Sequence, residues 1–442
     1  MIIPTKFIVI YQRKTGRQMK SFNVFTGKRN IAVNIPDDNF LYFAEHKNYS
    51  SSISQTELIC NALDNPIGAG SLEDIEPNAR VVIIFDDTTR PTPCKVLIPH
   101  IIERVLKKTQ NITFVTAPGT HRPLSKADLS EKLGEDILAH YPVVNIDYTI
   151  DSDYNFIGDT EDGTPLYIHR AVLDADYKIA VGNIGPHNVV GWSGGAKMLQ
   201  PGVSGRETTN KTHLQGAKYP ILEVFGNENC HMRGVIDKIG ALVGLDFIVN
   251  TVLDSEKNIL GLFCGHYFDA HRKGVAFAQK ALRPEIPELA DIVIVSAYPS
   301  NVDYWQGFKP IGFSMFGVKK GGTVIYLFDP KEGLCNNSPA HKPMLLKYLK
   351  SNAETVWNDV NSGKVTDIVG VTNPLYHFQV LDHIKNVLVV SDGLTDEECD
   401  MLTFERADSI DNALNRAFEI QGRDAKVGVI PFGGETLVRV KS

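Results

Sequence analysis

Short apolar runs separated by longer mixed segments set the pattern of this chain. Residues 81–84, 112–115 and 179–181 are rich in β-branched side chains and show no strict apolar–polar alternation. That is the signature of central parallel strands covered on both faces. Between the first two, Val96, Leu97, Ile98, Ile101, Ile102, Val105 and Leu106 recur at helical spacing and predict a helix over 95–108. The same reading gives strands over 143–148 and 246–253, and helices over 126–140 and 266–282, the latter ended by Arg283-Pro284. A second series follows: strands over 291–296, 323–328, 387–391 and 427–431, with helices over 313–320, 343–361 and 410–421. Residues 22–48 read as short strands and turns. Alternating strand and helix predicts two α/β domains with mainly parallel sheets, as the length of 442 residues also suggests. The expected boundaries are an N-terminal extension over 1–21, one domain over 22–283 and a second over 284–442.

Three of these strands end in loops too rich in Gly and Pro for regular structure. The first carries Asp86-Asp87-Thr88-Thr89-Arg90-Pro91, the second Gly119-Thr120-His121-Arg122-Pro123, and the third runs from Asn183 to Gly205 with His187, Gly194, Gly195 and Lys197. Ligands of open α/β sheets sit outside the carboxyl ends of the strands, so the three loops are expected to meet in one crevice. Glycine lets backbone approach a ligand closely and adopt positive φ, which suits the third loop to a bound anion or cofactor.

Charge and cysteine usage narrow the partners. A net charge of −7 without a basic stretch argues against nucleic acid. The six cysteines are far apart with no Cys-x-x-Cys, which offers neither a zinc knuckle nor a redox pair and suits a reducing cytoplasm. No apolar run reaches membrane-spanning length, and residues 7–11 are too few for a signal core. A cytoplasmic protein with no membrane partner is the expectation.

Within the loops, His121 and His187, with His213 beyond them, can move protons or bind nickel, zinc or copper. Each histidine alone reads as a loop cap; three in one constellation read as functional. Asp86 and Asp87 suit magnesium, ribose hydroxyls or a turn, and Arg90 suits a carboxylate or phosphate. Gly191 to Lys197 resembles a Walker A loop but is too short, with Met198 where Ser or Thr is required. Lys197 remains an anion contact or a covalent attachment point. In the second domain, Gln306 and Lys309 are three apart and share one face of a helical turn, suited to facing a substrate anion.

The motifs Asp-Asp-x-Thr-Arg-Pro-Thr-Pro, Gly-Thr-His-Arg-Pro and Pro-His…Gly-Trp-Ser-Gly-Gly-Ala-Lys…Pro-Gly, in this order, resemble the nickel-pincer lactate racemase family. The resemblance runs from about residue 22 to the end. It implies two α/β domains with the active site in a cleft between them, the first catalytic and cofactor-binding, the second closing the cleft. It implies a nicotinic-acid-derived mononucleotide whose sulfur arms hold nickel, made by dedicated cofactor-synthesis enzymes. By resemblance Lys197 would carry that nucleotide, His213 would bind nickel, and Asp87, Gly194 and Gly195 would lie at the cofactor. His121 and His187 would be paired acid and base, and Arg90, Gln306 and Lys309 would hold the substrate. The implied reaction is racemisation or epimerisation of a small 2-hydroxy acid: hydride leaves the α-carbon, a histidine takes the hydroxyl proton, and hydride returns to the other face. Trp192 and Trp305 depart from the family pattern and are expected near the substrate. Two other readings compete: a magnesium-dependent phosphoryl-transfer enzyme or hydrolase using Asp86 and Asp87, and a non-catalytic cofactor-binding protein on the same fold.

Overall fold

Residues 10–14, 17–46 and 53–441 are described by the computed structural model, and they divide into two units. The first holds residues 53–218 and 226–280; the second holds those up to 46 together with 219–225 and 281–441.

In the first unit six strands lie in the order Ile259–Gly265, Phe247–Leu253, Tyr177–Asn183, Val81–Asp86, Ile112–Ala117, Val143–Val144. All neighbours are parallel except the first pair. Val81, Ile83 and Phe85 share a buried core with Leu97, Ile98, Ile101 and Val105 of the helix Cys94–Val105. The apolar stripe that marks this helix in the sequence is therefore the face it lays on the sheet. From Val81–Asp86 the chain builds outward through Ile112–Ala117 and Val143–Val144, then returns to the other side of the starting strand with Tyr177–Asn183. The sheet thus has a topological switch point between Val81–Asp86 and Tyr177–Asn183, where α/β sheets open a crevice. The three Gly- and Pro-rich loops follow these two strands and their neighbour Ile112–Ala117.

In the second unit the order is Glu405–Arg406, Asn386–Val390, Val318–Leu327, Ala290–Ser296, Val427–Ile430, Phe40–Phe43, every pair parallel. A separate antiparallel sheet joins Ile10–Lys14, Arg17–Phe25 and Asn30–Pro36. Its Phe22, Val24, Val33 and Ile35 are buried with Ile292, Ile294, Leu414 and Phe418. Residues 22–46 therefore pack with the C-terminal residues and not with the domain expected over 22–283. The expected extension over 1–21 supplies strand residues 10–14 and 17–21; its first nine residues lie outside the described chain.

Local readings also differ. The helix expected over 313–320 is displaced: Tyr304–Ser314 is helical, and Val318–Leu327 is a strand. A short buried apolar run does not distinguish helix from strand by period. Residues 126–140 form two helices, Lys126–Leu133 and Glu135–His140, divided at Gly134 with φ +83°. The strand expected over 143–148 shortens to Val143–Val144. Helix Ile368–His383 escapes the sequence reading because it is buried from Val369 to His377, which leaves no polar face to set a period.

Candidate active site

Asp86 ends the fully buried strand Val81–Asp86 and Asp87 follows it, and their carboxylates do different work. Asp86 accepts from Lys132 Nζ at 2.6 Å and from Thr92. Lys132 also donates to the carbonyls of Arg90 at 3.0 Å and Thr92 at 3.4 Å. Burial opposes its charge, but Asp86 outweighs it and raises the Lys132 amine above its ordinary value. The buried pair thus fixes the backbone on either side of Pro91. Asp87 Oδ1 accepts from Thr89 N at 2.9 Å, and Oδ2 lies 2.5 Å from His121 Nδ1. Burial works against the Asp87 carboxylate, yet His121, Arg90 and Thr89 together hold it well below the usual carboxylate range. Both carboxylates are thus engaged by protein cations and donors, which removes the support for the magnesium reading. Among the described residues no cluster of three or more His, Cys, Asp or Glu side chains is arranged to hold a metal ion.

An ionised Asp87 makes His121 Nδ1 the protonated nitrogen and leaves the lone pair on Nε2. His187 has the opposite arrangement. It sits in the short hairpin where Pro186–His187 pairs with Gly191–Trp192, and its Nδ1 accepts from Val189 N at 3.1 Å. The neutral ring therefore carries its proton on Nε2. The two histidines, after the strands on either side of Val81–Asp86, present one acceptor and one donor.

Lys197 follows in the turn Gly195–Met198. Gly194 and Gly195 enter it at φ +82° and +59°, and a Cβ at Gly194 would stand 2.7 Å from Asn250 Oδ1. Asn250 Oδ1 accepts from Gly195 N at 2.7 Å, so a close approach and a left-handed backbone both call for glycine here. Burial pushes the Lys197 amine down to about 7; Arg90 adds to this, Asp87 opposes it and Arg233 adds again. An amine in that range is substantially neutral, hence nucleophilic, near physiological pH. His213, in helix Arg206–Gly216, has Nδ1 2.9 Å from Thr209 O. Donation from Nδ1 leaves the Nε2 lone pair, the state a metal-binding imidazole needs.

Trp192 is fully buried, with its indole N–H donated to Gly226 O at 2.9 Å. Its ring packs inside the first unit, beside the hairpin that carries His187. Neither Lys132 nor the buried Arg233, Asn250 and His271 behind the glycine loop was singled out from the sequence as part of a site.

In the second unit, Asp303 caps helix Tyr304–Ser314 by accepting from Gln306 N at 3.1 Å. Lys309 Nζ donates to Gln306 Oε1 at 2.6 Å, which places both on one face as their spacing predicts. Trp305, beside Gln306, stacks on His341 at 5.0 Å.

Comparison with known proteins accounts for nearly the whole chain. The family model for the lactate racemase N-terminal domain matches residues 26–220, and that for the lactate racemase C-terminal domain matches residues 287–438. The lactate racemase of Thermoanaerobacterium thermosaccharolyticum is 28% identical over 435 residues, 96% of this chain and 100% of the relative. That of Lactiplantibacillus plantarum is 29% identical over 424 residues, 93% of this chain and 98% of the relative. The lactate racemase apoprotein structure from the former organism superposes with a TM-score of 0.86 at 27% identity, covering 95% of this chain and 100% of that one. A Thermotoga maritima protein at 16% identity, TM-score 0.71, covers 89% of this chain and 100% of its own, and shares the fold.

Proposed function

The chain belongs to the lactate racemase family, and from that premise we propose that it racemises or epimerises a small 2-hydroxy acid with a nickel-pincer nucleotide on Lys197. One observation carries the reading: Asp87–His121, His187 and a Lys197 amine lowered to about 7 all follow three neighbouring parallel strands at the switch point. The residues fit the cofactor. Lys197 offers an amine of lowered pKa able to form a covalent link, two positive-φ glycines let backbone approach an anionic nucleotide, and His213 is held in a metal-binding tautomer. When bound, that group supplies the hydride acceptor for the substrate α-carbon.

The chain's own residues handle the proton and the carboxylate. His121 takes the substrate hydroxyl proton at Nε2, and Asp87 stabilises the resulting imidazolium through Nδ1. His187 delivers the proton from Nε2 as an imidazolium when the product hydroxyl is restored, and in that state it has to release Val189 N–H, because a protonated Nδ1 cannot accept it. For the opposite direction the roles exchange: His187, with its proton on Nδ1, takes the hydroxyl proton at Nε2, and the His121 imidazolium delivers one. Arg90 is the fork for the substrate carboxylate, with its loop held by Lys132, and Gln306 and Lys309 are further substrate contacts. The cofactor-building enzymes are the implied protein partners. No helix among the described residues is long and apolar enough to cross a membrane.

Intact mass and metal analysis of protein co-produced with cofactor-building enzymes test the proposal. The parent should carry an adduct and nickel. Lys197→Arg should fold without an adduct, since a guanidinium stays charged and cannot form the link. His213→Ala should keep the adduct and lose nickel. An undiminished adduct in Lys197→Arg would remove Lys197 as the attachment point.

A further inference from the structure

Behind the glycine loop lies a buried polar network that the reaction itself does not use. Helix His231–Val243 supplies Arg233 and Asp237, and helix Asp269–Ala281 supplies His271 and Arg272. Arg233 and His271 are fully buried. Arg233 NH1 reaches Gly194 O at 3.2 Å and Trp192 O at 3.4 Å, and His271 Nε2 donates to Ser193 O at 2.9 Å. Three consecutive carbonyls just before the Lys197 turn are therefore held by side chains from two helices. The next amide, Gly195 N, is held by Asn250.

The network also sets its own protonation. Arg272 NH1 donates to His271 Nδ1 at 2.9 Å, which leaves the His271 proton on Nε2, facing Ser193 O. Burial, reinforced by Arg233, holds His271 neutral, far below its ordinary range. Asp237 is shared by Arg233 at 2.9 Å and Arg272 at 2.5 Å, so one carboxylate serves two guanidiniums and the network keeps a net positive charge. The charged groups acting on Lys197 are Arg90 and Arg233, which disfavour its proton, and Asp87 and Asp86, which favour it. A Cβ on Gly195 would stand 3.0 Å from the His271 ring, so the ring also limits where the turn can lie. The far side of the network reaches an outward cleft of about 770 Å³ lined in part by Asp237 and Arg272.

We propose that Arg233 and His271, with Arg272 behind them, are positioning residues that clamp the carbonyls of Trp192, Ser193 and Gly194 and thereby hold Lys197 in its reactive setting. The use of that setting for cofactor attachment rests on the function proposed above; the clamp itself does not. It follows that the clamp can be read in cofactor-free protein, from the chemistry of one amine.

The experiment is trace acylation with acetic anhydride across pH 6–10, with Lys197 quantified by peptide mass spectrometry against surface lysines. His271→Leu and Arg233→Met should each cut Lys197 labelling at pH 7.5 by about tenfold and move its midpoint upward. His271→Gln keeps a donor for Ser193 O and an acceptor for Arg272, and should stay within about threefold of the parent. A purely structural role would instead track thermal stability across all variants, with no rescue by Gln. Parental labelling in folded His271→Leu and Arg233→Met would overturn the clamp. Should those variants fail to fold, Arg272→Leu decides, since its side chain reaches the cleft and its loss removes the donor to His271 Nδ1; parental labelling there also overturns it. A clamp that passes while the loaded parent shows no adduct on Lys197 would sink the functional reading and leave the positioning role standing.

Discussion

A carboxylate bonded to one nitrogen of a histidine decides which end of the ring can accept a proton. Asp87 does this for His121, and the consequence is measurable. Asp87→Asn keeps the shape but can donate to Nδ1, which favours the tautomer with the proton on Nε2 and removes the charge that stabilises the imidazolium. Turnover should fall by about 10²–10⁴-fold with the adduct still on Lys197; near-parental rates in loaded protein would show that Asp87 does not act through His121. Stability offers an independent check. The folded Asp87 carboxyl lies below its ordinary value of 3.8, so its contribution is present above that value and is lost as pH falls below it. Urea unfolding between pH 3 and 7 should show a shallower acid limb in the Asn variant. Asp87, Arg90, His121, His187 and Lys197 are legible in sequence because they crowd into loops that Gly and Pro make irregular. Lys132 is not: in its helix it reads as a solvated lysine, and only the folded chain shows it 6% exposed and bonded to Asp86. Arg233 and His271 are hidden for the same reason.

At the scale of an element, the helix Tyr304–Ser314 depends on its cap. Asp303 accepts from Gln306 N at 3.1 Å and from Asn337 N at 3.2 Å, and fixes the turn that carries Gln306 and Lys309. Burial outweighs those two bonds and pushes its carboxyl up to about 7. With the folded value raised, the contribution of Asp303 is fully present below the ordinary 3.8 and is lost as pH rises toward 7. The parent should therefore lose roughly 2–4 kcal/mol relative to Asp303→Asn between pH 4 and 8. Asn also caps well but has one acceptor oxygen for two amides, so its curve should be lower at acid pH and flatter. Parallel stability curves for the two proteins across that range would rule out Asp303 as the titrating cap. The cap also explains the displaced helix: an Asp three residues before Gln306 is a start signal, whereas the apolar stretch after Ile311 carries no period of its own.

For the molecule as a whole, two mainly parallel sheets are legible from the alternation of apolar runs and helical stripes, but the membership of the first strands is not. Sequence proximity favours placing residues 22–46 with the domain that follows them. The parallel pairing of Phe40–Phe43 with Val427–Ile430 is a contact across almost the full length of the chain, and no local pattern encodes it. Phe22, Val24, Val33 and Ile35 are each at most 3% exposed, packed with strands Ala290–Ser296 and Val427–Ile430 and helix Ile410–Gln421. Losing four such side chains forfeits about 6–12 kcal/mol at roughly 1.5–3 kcal/mol each. That is comparable to the whole stability of a typical domain, about 5–15 kcal/mol. Deleting residues 1–46 should consequently unfold the second unit while the first keeps its own core around Ile83, Phe85 and Leu97. Hydrogen exchange read by mass spectrometry separates the two outcomes. Amides of Val427–Ile430 and Ala290–Ser296 should lose protection in the deletion protein, and those of Val81–Asp86 and Tyr177–Asn183 should retain it. Undiminished protection in Val427–Ile430 would mean that the N-terminal strands decorate the second unit and do not complete its core.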